Sequence, residues 1–399
     1  MANVEFKNKL GMFIHWGTYS ILAKHEQILR LYKHEEYEAL KDKFNPVNYD
    51  PEKWVLLAKS AGMKYICFTA KHHDGFCMWD TKHTDYKITN TPYGKDTLRM
   101  LADACQKHGM LLSIYYSCPD WYYEYGYNPA SSAFHQVKAK NKNNPDTVKL
   151  REYIKAQIRE LMTEYGKIYT LFWDIPPAIL DRSINEEVRR LQPGILINNR
   201  GFDEGDFSTP ERDFNTPNER YAHPTESCNS VGEYAWGYNK EESFYSVSVL
   251  RSAIQKTMSR GGSYLLNVGP NELGEITPEY EKRIRAVGDW YNRMEGVLEE
   301  SVGDEREYDI YGVREWLNQY TVTKKNGKSY FHFYNGLISN HVFFNTFPSM
   351  PKSVRLLNTN TPLPYTVRNA KIYLDDGLDI YNIPIDELVG EPICIEIEW

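Results

Sequence analysis

The sequence lacks the features that mark several large protein classes. Its six cysteines include no CxxC pair, which argues against a zinc ribbon or a thioredoxin-type redox motif. No apolar run approaches the roughly 18–20 residues that a membrane helix needs. The 47 lysines and arginines are outnumbered by 54 acidic residues, for a formal net charge of −7, and they form no basic cluster. We therefore expect neither a membrane nor a nucleic-acid partner.

Phosphate-binding loops and serine-nucleophile motifs are also missing. The sequence contains neither GxGxxG nor a Walker-type loop, so we expect no nucleotide cofactor. GxSxG does not occur, which leaves an acyl-transfer hydrolase unsupported. Residues 1–6 carry neither the charged nor the apolar segment of a secretory signal. Two compartments stay open: the protein is cytoplasmic, or it is exported and its signal has been removed.

Aromatic residues, in contrast, are abundant. They make up 14% of the chain and include 31 tyrosines and 9 tryptophans. Aromatic side chains line carbohydrate sites because they offer flat apolar faces with polar handles. Large cores and β-rich segments use the same residues, so composition alone favours the structural explanation over a sugar site.

Over residues 1–302, strand-like and helix-like segments alternate. Amphipathic stretches of helical period separate apolar runs of strand length at 65–68, 111–116, 168–173, 195–197 and 264–266. This alternation predicts a parallel sheet with crossover helices. At this length we predict a catalytic (β/α)8-like, TIM-type barrel rather than an open doubly wound sheet.

The pattern changes over residues 303–399. Short strand-like runs, among them 330–334, 341–344, 353–357, 370–374 and 393–399, are separated by turn residues such as Asn326 and Gly327. This pattern predicts a separate C-terminal antiparallel β-sandwich domain. The domain is either a sugar-binding module or a structural element that covers part of the barrel, and we favour the structural role.

Polar residues follow most of the predicted barrel strands. In a barrel, the carboxyl ends of the strands meet on the face that carries the active site. Asp174 ends an otherwise apolar strand and is the strongest catalytic candidate, the alternative being a cap on the following turn. Strand alternation places Phe172 on the same face as Asp174. Arg200 follows another strand and is predicted to clamp a substrate oxygen or the nucleophile, or to form a structural salt bridge.

Two adjacent histidines, His72 and His73, follow the second predicted strand. Their spacing is unlike the usual i,i+2 or i,i+4 spacing of metal ligands. Neutral imidazoles both donate and accept hydrogen bonds, so we predict contacts to a polyhydroxyl substrate and no metal.

Glu211 and Glu226 lie in a long connection, residues 201–245, that we interpret as functional because of its length. Either glutamate is a candidate partner for Asp174, and the alternative for each is a solvated loop carboxylate. Two carboxylates across a sugar ring, a nucleophile and a general acid/base, are what retaining glycoside hydrolysis needs.

Several motifs, taken in order, resemble one family. They are GMFIHWG at 11–17, KHHDGFC at 71–77, TDY at 84–86, YYS at 115–117, DW at 120–121, WGYN at 236–239 and LLNVGP at 265–270. Over residues 5–300 the chain resembles the α-L-fucosidases of glycoside hydrolase family 29.

The resemblance implies a retaining exo-α-L-fucosidase with a fucosylated carbohydrate as its substrate. Asp174 matches the family's nucleophile, although the usual Trp-Phe-Asp-Gly reads Phe-Trp-Asp-Ile here. Glu211 matches the position that often carries the acid/base, and it ranks above Glu226. Contacts to fucose or the nucleophile are implied for His15, His72, His73, Tyr115 and Arg200.

Two further residues are implied by the resemblance to line the pocket. Trp236 matches the aromatic residue that meets the C5 methyl group of the sugar, and Glu26 resembles an acidic residue of the same pocket. Two alternatives stay open: a fucose-binding relative without catalysis, and a barrel hydrolase with a metal held by His15, His72 and His73.

Overall fold

A barrel and a pair of antiparallel sheets make up the molecule. The computed structural model describes residues 8–129, 131–175, 181–212, 220–294, 296–306, 308–311, 320–368 and 377–399. Within these residues, the barrel sheet has seven parallel strands: β1 (Leu10–Ile14), β2 (Tyr65–Lys71), β3 (Leu111–Ser117), β4 (Ile168–Asp174), β5 (Leu196–Ile197), β6 (Glu226–Ser230) and β7 (Ser263–Val268). Their order, β5-β4-β3-β2-β1-β7-β6, is the cyclic order of a barrel opened between β5 and β6.

An extended segment, residues 206–211, occupies the gap between β5 and β6. Phe207 forms a parallel bridge to Asn198, directly after β5, and Glu211 forms a parallel bridge to Cys228 in β6. The segment therefore takes the eighth position, in agreement with the predicted (β/α)8-like barrel. The long connection at residues 201–245 contains both this segment and β6.

Helices alternate with the strands of the barrel, as the sequence pattern predicts. They are α1 (His34–Glu38), α2 (Pro51–Ser60), α3 (Thr97–His108), α4 (Thr147–Glu164), α5 (Arg182–Leu191), α6 (Val247–Ser259), α7 (Pro278–Arg293) and α8 (Val297–Glu300). Asp50 caps α2 by accepting from the Lys53 N–H at 3.2 Å. Gly109, at φ +66°, ends α3 in the left-handed conformation that favours glycine. Of the helices described, none has both the length and the apolar character needed to cross a bilayer.

Aromatic side chains fill the barrel interior. Phe13, Tyr115 and Phe172 pack with Tyr65 and smaller side chains inside the sheet, and a larger apolar layer lies between the sheet and the helices. Gly11 makes room for the Tyr65 ring, because a Cβ at position 11 would lie 2.5 Å from two of its carbons. The filled interior leaves polar chemistry to the strand ends.

The C-terminal region forms the predicted antiparallel sandwich. Its strands are β8 (Val302–Gly303), β9 (Asp309–Tyr311), β10 (Tyr320–Lys325), β11 (Lys328–Phe333), β12 (Val342–Thr346), β13 (Ser353–Leu356), β14 (Thr361–Pro362), β15 (Tyr365–Arg368), β16 (Gly377–Ile380) and β17 (Ile393–Glu398). They form sheets of order β14-β13-β17-β11-β10-β8 and β15-β16-β12-β9. Phe331 and Phe344 pack between the sheets, with ring centroids 5.0 Å apart. The predicted strand at 370–374 lies outside the described residues.

The sandwich packs against the outer side of the barrel. Glu391 accepts hydrogen bonds from Arg251 in α6 at 3.0 Å and from Arg293 at the end of α7 at 2.6 Å. Tyr330 and Leu357 belong to the same apolar cluster as the barrel helices. These contacts favour the structural interpretation of this region.

Candidate active site

The ends of the barrel strands bring together most of the residues singled out by sequence. His15 follows β1 and lies 5.5 Å from Tyr115 of β3, measured between ring centroids. His72, after β2, stacks on Tyr115 at 5.7 Å and lies 4.2 Å from His73. Asp174 ends β4, within hydrogen-bond distance of the Tyr115 hydroxyl. These residues form one pocket because neighbouring parallel strands end on the same face.

Asp174 is held as a carboxylate by two donors. The Tyr115 hydroxyl donates to its Oδ2 at 2.6 Å, and Arg200 Nη1 donates to its Oδ1 at 3.1 Å. Burial acts to raise the pKa of Asp174, but Arg200, the Tyr115 hydrogen bond and His72 together hold that pKa below its ordinary value. The group is therefore ionised near neutral pH, as a nucleophile requires.

Ile175, the residue after Asp174, has a left-handed backbone conformation with φ at +57°. Its N–H donates to the Asp174 carboxylate, which further lowers the pKa of that group. Left-handed φ is costly for a β-branched residue and free for glycine. This is the position at which the sequence has isoleucine in place of the glycine of the family pattern, so the turn is kept at the cost of strain.

Glu211 reaches the same pocket from the segment that closes the barrel. Arg200 Nη1 also contacts Glu211 Oε1, so one guanidinium lies between the two carboxylates. The Glu211 side chain is 41% exposed at the mouth. Partial burial, followed by repulsion from Asp174, raises the pKa of Glu211 against the opposing effect of Arg200. Two carboxyl groups with pKa values displaced in opposite directions are suited to the roles of acid and nucleophile.

Glu226 lies elsewhere in the barrel. It is the first residue of β6, opposite Ser263, and therefore at the amino end of the strands, whereas Asp174 is at the carboxyl end of β4. Its Oε2 accepts from the Tyr65 hydroxyl at 2.6 Å, and burial raises its pKa to about 7. The alternative of a solvated loop carboxylate is wrong for Glu226, because the connection contains a strand that carries this residue into the interior.

The histidines of the pocket are neutral. Burial lowers the pKa of His15 to about 4, and its Nδ1 lies 2.7 Å from Asn267 Oδ1. Burial also lowers the pKa values of His72 and His73 well below their usual range. His72 Nδ1 is buried and has no hydrogen-bond partner within the described part of the chain. An unpaired buried nitrogen at this position is suited to a substrate hydroxyl.

Trp236 and Phe172 provide apolar walls. Trp236 lies 5.3 Å from His15, and Phe172 packs 5.3 Å from Phe13, both measured between ring centroids. Glu26 is buried, and its Oε2 accepts from the N–H groups of Trp236 at 2.9 Å and Gly237 at 3.1 Å. Glu26 therefore fixes the segment that presents Trp236.

Among the residues that the structure describes, one group of side chains could hold a metal ion. His72, His73 and Asp174 each offer one ligand atom, and these atoms lie within 4.8 Å of one another. Tyr115 and Arg200 already bind the two oxygens of Asp174, which competes with a cation there. The arrangement of His72, His73 and Asp174 therefore agrees better with hydrogen bonding to a substrate, and a bound metal ion is the alternative.

Sequence reasoning missed other residues near the pocket. Lys71 and Asp120 form a fully buried ion pair, with Nζ 2.9 Å from Oδ2, beside the turn that carries His72. The His135 ring lies 5.9 Å from that of His73. His135 lies in the middle of the connection that follows β3, far from any strand end, so its position in the sequence gave no indication of a site. Asp120 belongs to the DW motif at 120–121, but the motif did not indicate its role.

The sequence and the fold are similar to those of known proteins. The α-L-fucosidase family model matches residues 4–295. The tissue α-L-fucosidase of Rattus norvegicus is 26% identical over 318 residues, which cover 71% of this chain and 66%, just under two thirds, of that protein.

Solved structures match almost the whole chain. The α-L-fucosidase isoenzyme 1 of Paenibacillus thiaminolyticus is 31% identical, with 98% of this chain and 96% of that one covered at a TM-score of 0.82. A GH29 α-L-fucosidase of Bacteroides thetaiotaomicron, trapped as a covalent intermediate with 2-fluoro-fucosyl fluoride, is 25% identical, with 98% and 94% covered at a TM-score of 0.78.

Proposed function

The chain belongs to the α-L-fucosidase family, glycoside hydrolase family 29, and from this premise we propose that it is a retaining exo-α-L-fucosidase. Its substrates are glycans or glycoconjugates with a terminal α-L-fucosyl residue. The observation that carries the proposal is the position of Arg200 between Asp174 and Glu211, whose pKa values are displaced in opposite directions.

In the first step, an oxygen of Asp174 attacks the anomeric carbon while the bond to the leaving oxygen breaks. Glu211 gives its proton to that oxygen, and a covalent fucosyl ester forms on Asp174. In the second step, Glu211 removes a proton from water, the water oxygen attacks the anomeric carbon, and Asp174 leaves. Two inversions retain the configuration. The Bacteroides relative trapped as a covalent intermediate supports this route.

Neutral imidazoles and one aromatic wall select the sugar. His15, His72 and His73 exchange hydrogen bonds with fucose hydroxyl groups, and Trp236 meets the C5 methyl group. Because an apolar contact excludes an added hydroxyl only weakly, we expect slow turnover of α-L-galactosides. We assign this chemistry to barrel residues 1–302 and a supporting role to sandwich residues 303–399.

Release of 4-nitrophenol from its α-L-fucoside tests the proposal. The wild type and Asp174→Ala are assayed with and without EDTA, and circular dichroism checks that the variant is folded. Turnover that survives EDTA and is lost in the folded variant supports the retaining, metal-independent enzyme. Loss on chelation favours a metal at His72, His73 and Asp174, and near-normal turnover of Asp174→Ala refutes the nucleophile. Fucose binding without turnover of any fucoside favours the binding-only relative.

A further inference from the structure

Two loops at the mouth of the barrel form one packed unit. One follows β1 and the other follows β3. Lys138 Nζ donates to the Tyr32 carbonyl at 2.6 Å, and the Lys138 carbonyl lies 2.9 Å from His34 Nε2. The two loops also share an apolar cluster of Tyr19, Ile28, Leu29, Tyr37, Leu40, Trp121 and Ala139. The exposed side chains of this unit therefore project from two loops that are packed against each other.

Phe134 belongs to this unit and is 63% exposed. Arg30 holds the ring in place, with its guanidinium carbon 4.0 Å from the Phe134 centroid and 5.5 Å from that of Trp121. Arg30 is itself fixed by a 2.8 Å hydrogen bond from Nε to Gln27 Oε1. A large apolar ring that is braced by a cation and open to solvent offers a flat face on which a ligand can stack.

The exposed ring is linked to the catalytic pocket through two histidines. Phe134 meets His135 edge-on at 4.9 Å, and His135 lies 5.9 Å from His73, measured between ring centroids. His73 Nε2 is 3.8 Å from Asp174 Oδ2. His135 Nδ1 is buried and has no hydrogen-bond partner within the described residues. The side chain next to the fucose pocket thus carries an unpaired polar nitrogen, and the exposed aromatic ring of Phe134 lies beyond it.

We propose that Phe134 and His135 bind the first sugar ring of the leaving group. Phe134 stacks on the apolar face of a pyranose, His135 Nδ1 exchanges a hydrogen bond with one of its hydroxyl groups, and Arg30 positions the aromatic ring. This inference rests on the proposed function and narrows its substrate class to fucosylated oligosaccharides. A pyranose suits the site because its C–H face can stack on the Phe134 ring and its hydroxyl groups can form hydrogen bonds with the neighbouring neutral imidazole of His135.

The test compares two leaving groups in wild type, Phe134→Ala and Arg30→Lys. In α-L-fucosyl fluoride the leaving group is one atom and cannot reach Phe134. The second substrate is the best-hydrolysed member of a panel of α-1,2-, α-1,3-, α-1,4- and α-1,6-fucosylated disaccharides. Ile338→Ala on the sandwich, where the side chain is 59% exposed, is the matched control for loss of an exposed apolar group.

We expect Phe134→Ala to lower kcat/KM for the disaccharide about tenfold and to change that for the fluoride less than twofold. Arg30→Lys, which keeps the charge and loses the planar contact, should show a smaller effect of the same kind. Equal effects on both substrates, or no effect on the disaccharide, would overturn the inference. The inference would also be overturned if the wild type hydrolysed the fluoride but none of the disaccharides in the panel. Failure of the wild type on the fluoride would instead refute the proposed function.

Discussion

Arg200 Nη1 donates to Oδ1 of Asp174 at 3.1 Å, and the same nitrogen contacts the carboxylate of Glu211. A cation shared by two carboxylates stabilises whichever of them is charged. Before the reaction this is Asp174. Once Asp174 has become a neutral ester, Arg200 favours an ionised Glu211, the form that must accept a proton from water. The shared contact thus suits the exchange of roles that double displacement requires.

Substitution of Glu211 tests its role as general acid. Glu211→Ala should slow hydrolysis of a fucosyl disaccharide by about 10²- to 10⁴-fold, and that of an activated aryl fucoside far less, because a good leaving group needs no proton. Azide should restore turnover and yield a fucosyl azide of retained configuration, detected by NMR. Glu226→Ala is the comparison. If Glu226→Ala shows this pattern and Glu211→Ala does not, the assignment is reversed.

The hydrogen bond from Tyr115 to Asp174 predicts a pH effect. The pKa of Asp174 is depressed, so its active, ionised form is lost as pH falls through that pKa. Tyr115→Phe removes the 2.6 Å hydrogen bond. The acidic limb of the kcat/KM profile should then shift to higher pH by roughly one to two pH units. Tyr65→Phe is the control, because Tyr65 bonds Glu226 at the other end of the barrel. An unmoved acidic limb in Tyr115→Phe would contradict this account.

Glu226 should make stability depend on pH. Its folded-state pKa of about 7 lies above the roughly 4.3 of an unfolded chain, so folding favours the protonated form. The contribution is fully present below about pH 4.3 and is lost as pH rises through 7, about 4 kcal/mol in all. We expect the Tm of Glu226→Gln minus that of wild type to increase between pH 5 and pH 8. Glu186→Gln, on the exposed face of α5, is the control, and a pH-independent difference would exclude the effect.

The left-handed conformation of Ile175, the residue after Asp174, predicts a stabilising substitution. Ile175→Gly should be more stable than Ile175→Ala by about 1 kcal/mol, because alanine keeps the unfavourable φ of +57° and glycine does not. Urea unfolding of both variants measures the difference, and the alanine variant controls for loss of the side chain. Equal stability, or a less stable glycine variant, would show that the turn is not strained.

The outline of the fold could be predicted from local pattern. Helix caps such as Asp50, the apolar runs of β2, β3 and β4, and the change of pattern after residue 302 all depend on neighbours a few residues apart. The predicted barrel and sandwich and the resemblance to the α-L-fucosidases are confirmed. The roles of the site residues remain predictions, and the structure brings His15, Tyr115 and Asp174 together in one pocket.

The sequence by itself determined most of the strands and helices of the barrel, and which polar groups follow the strands, because periods of 2 and 3.6 residues are local. Only the tertiary structure decided that residues 206–211 close the barrel, that Glu226 lies in the interior, and that Arg200 joins Asp174 to Glu211. It also decided that Arg30 braces Phe134, 104 residues away in the chain by their numbers. These relationships depend on pairing and packing between distant segments, which no spacing along the chain encodes.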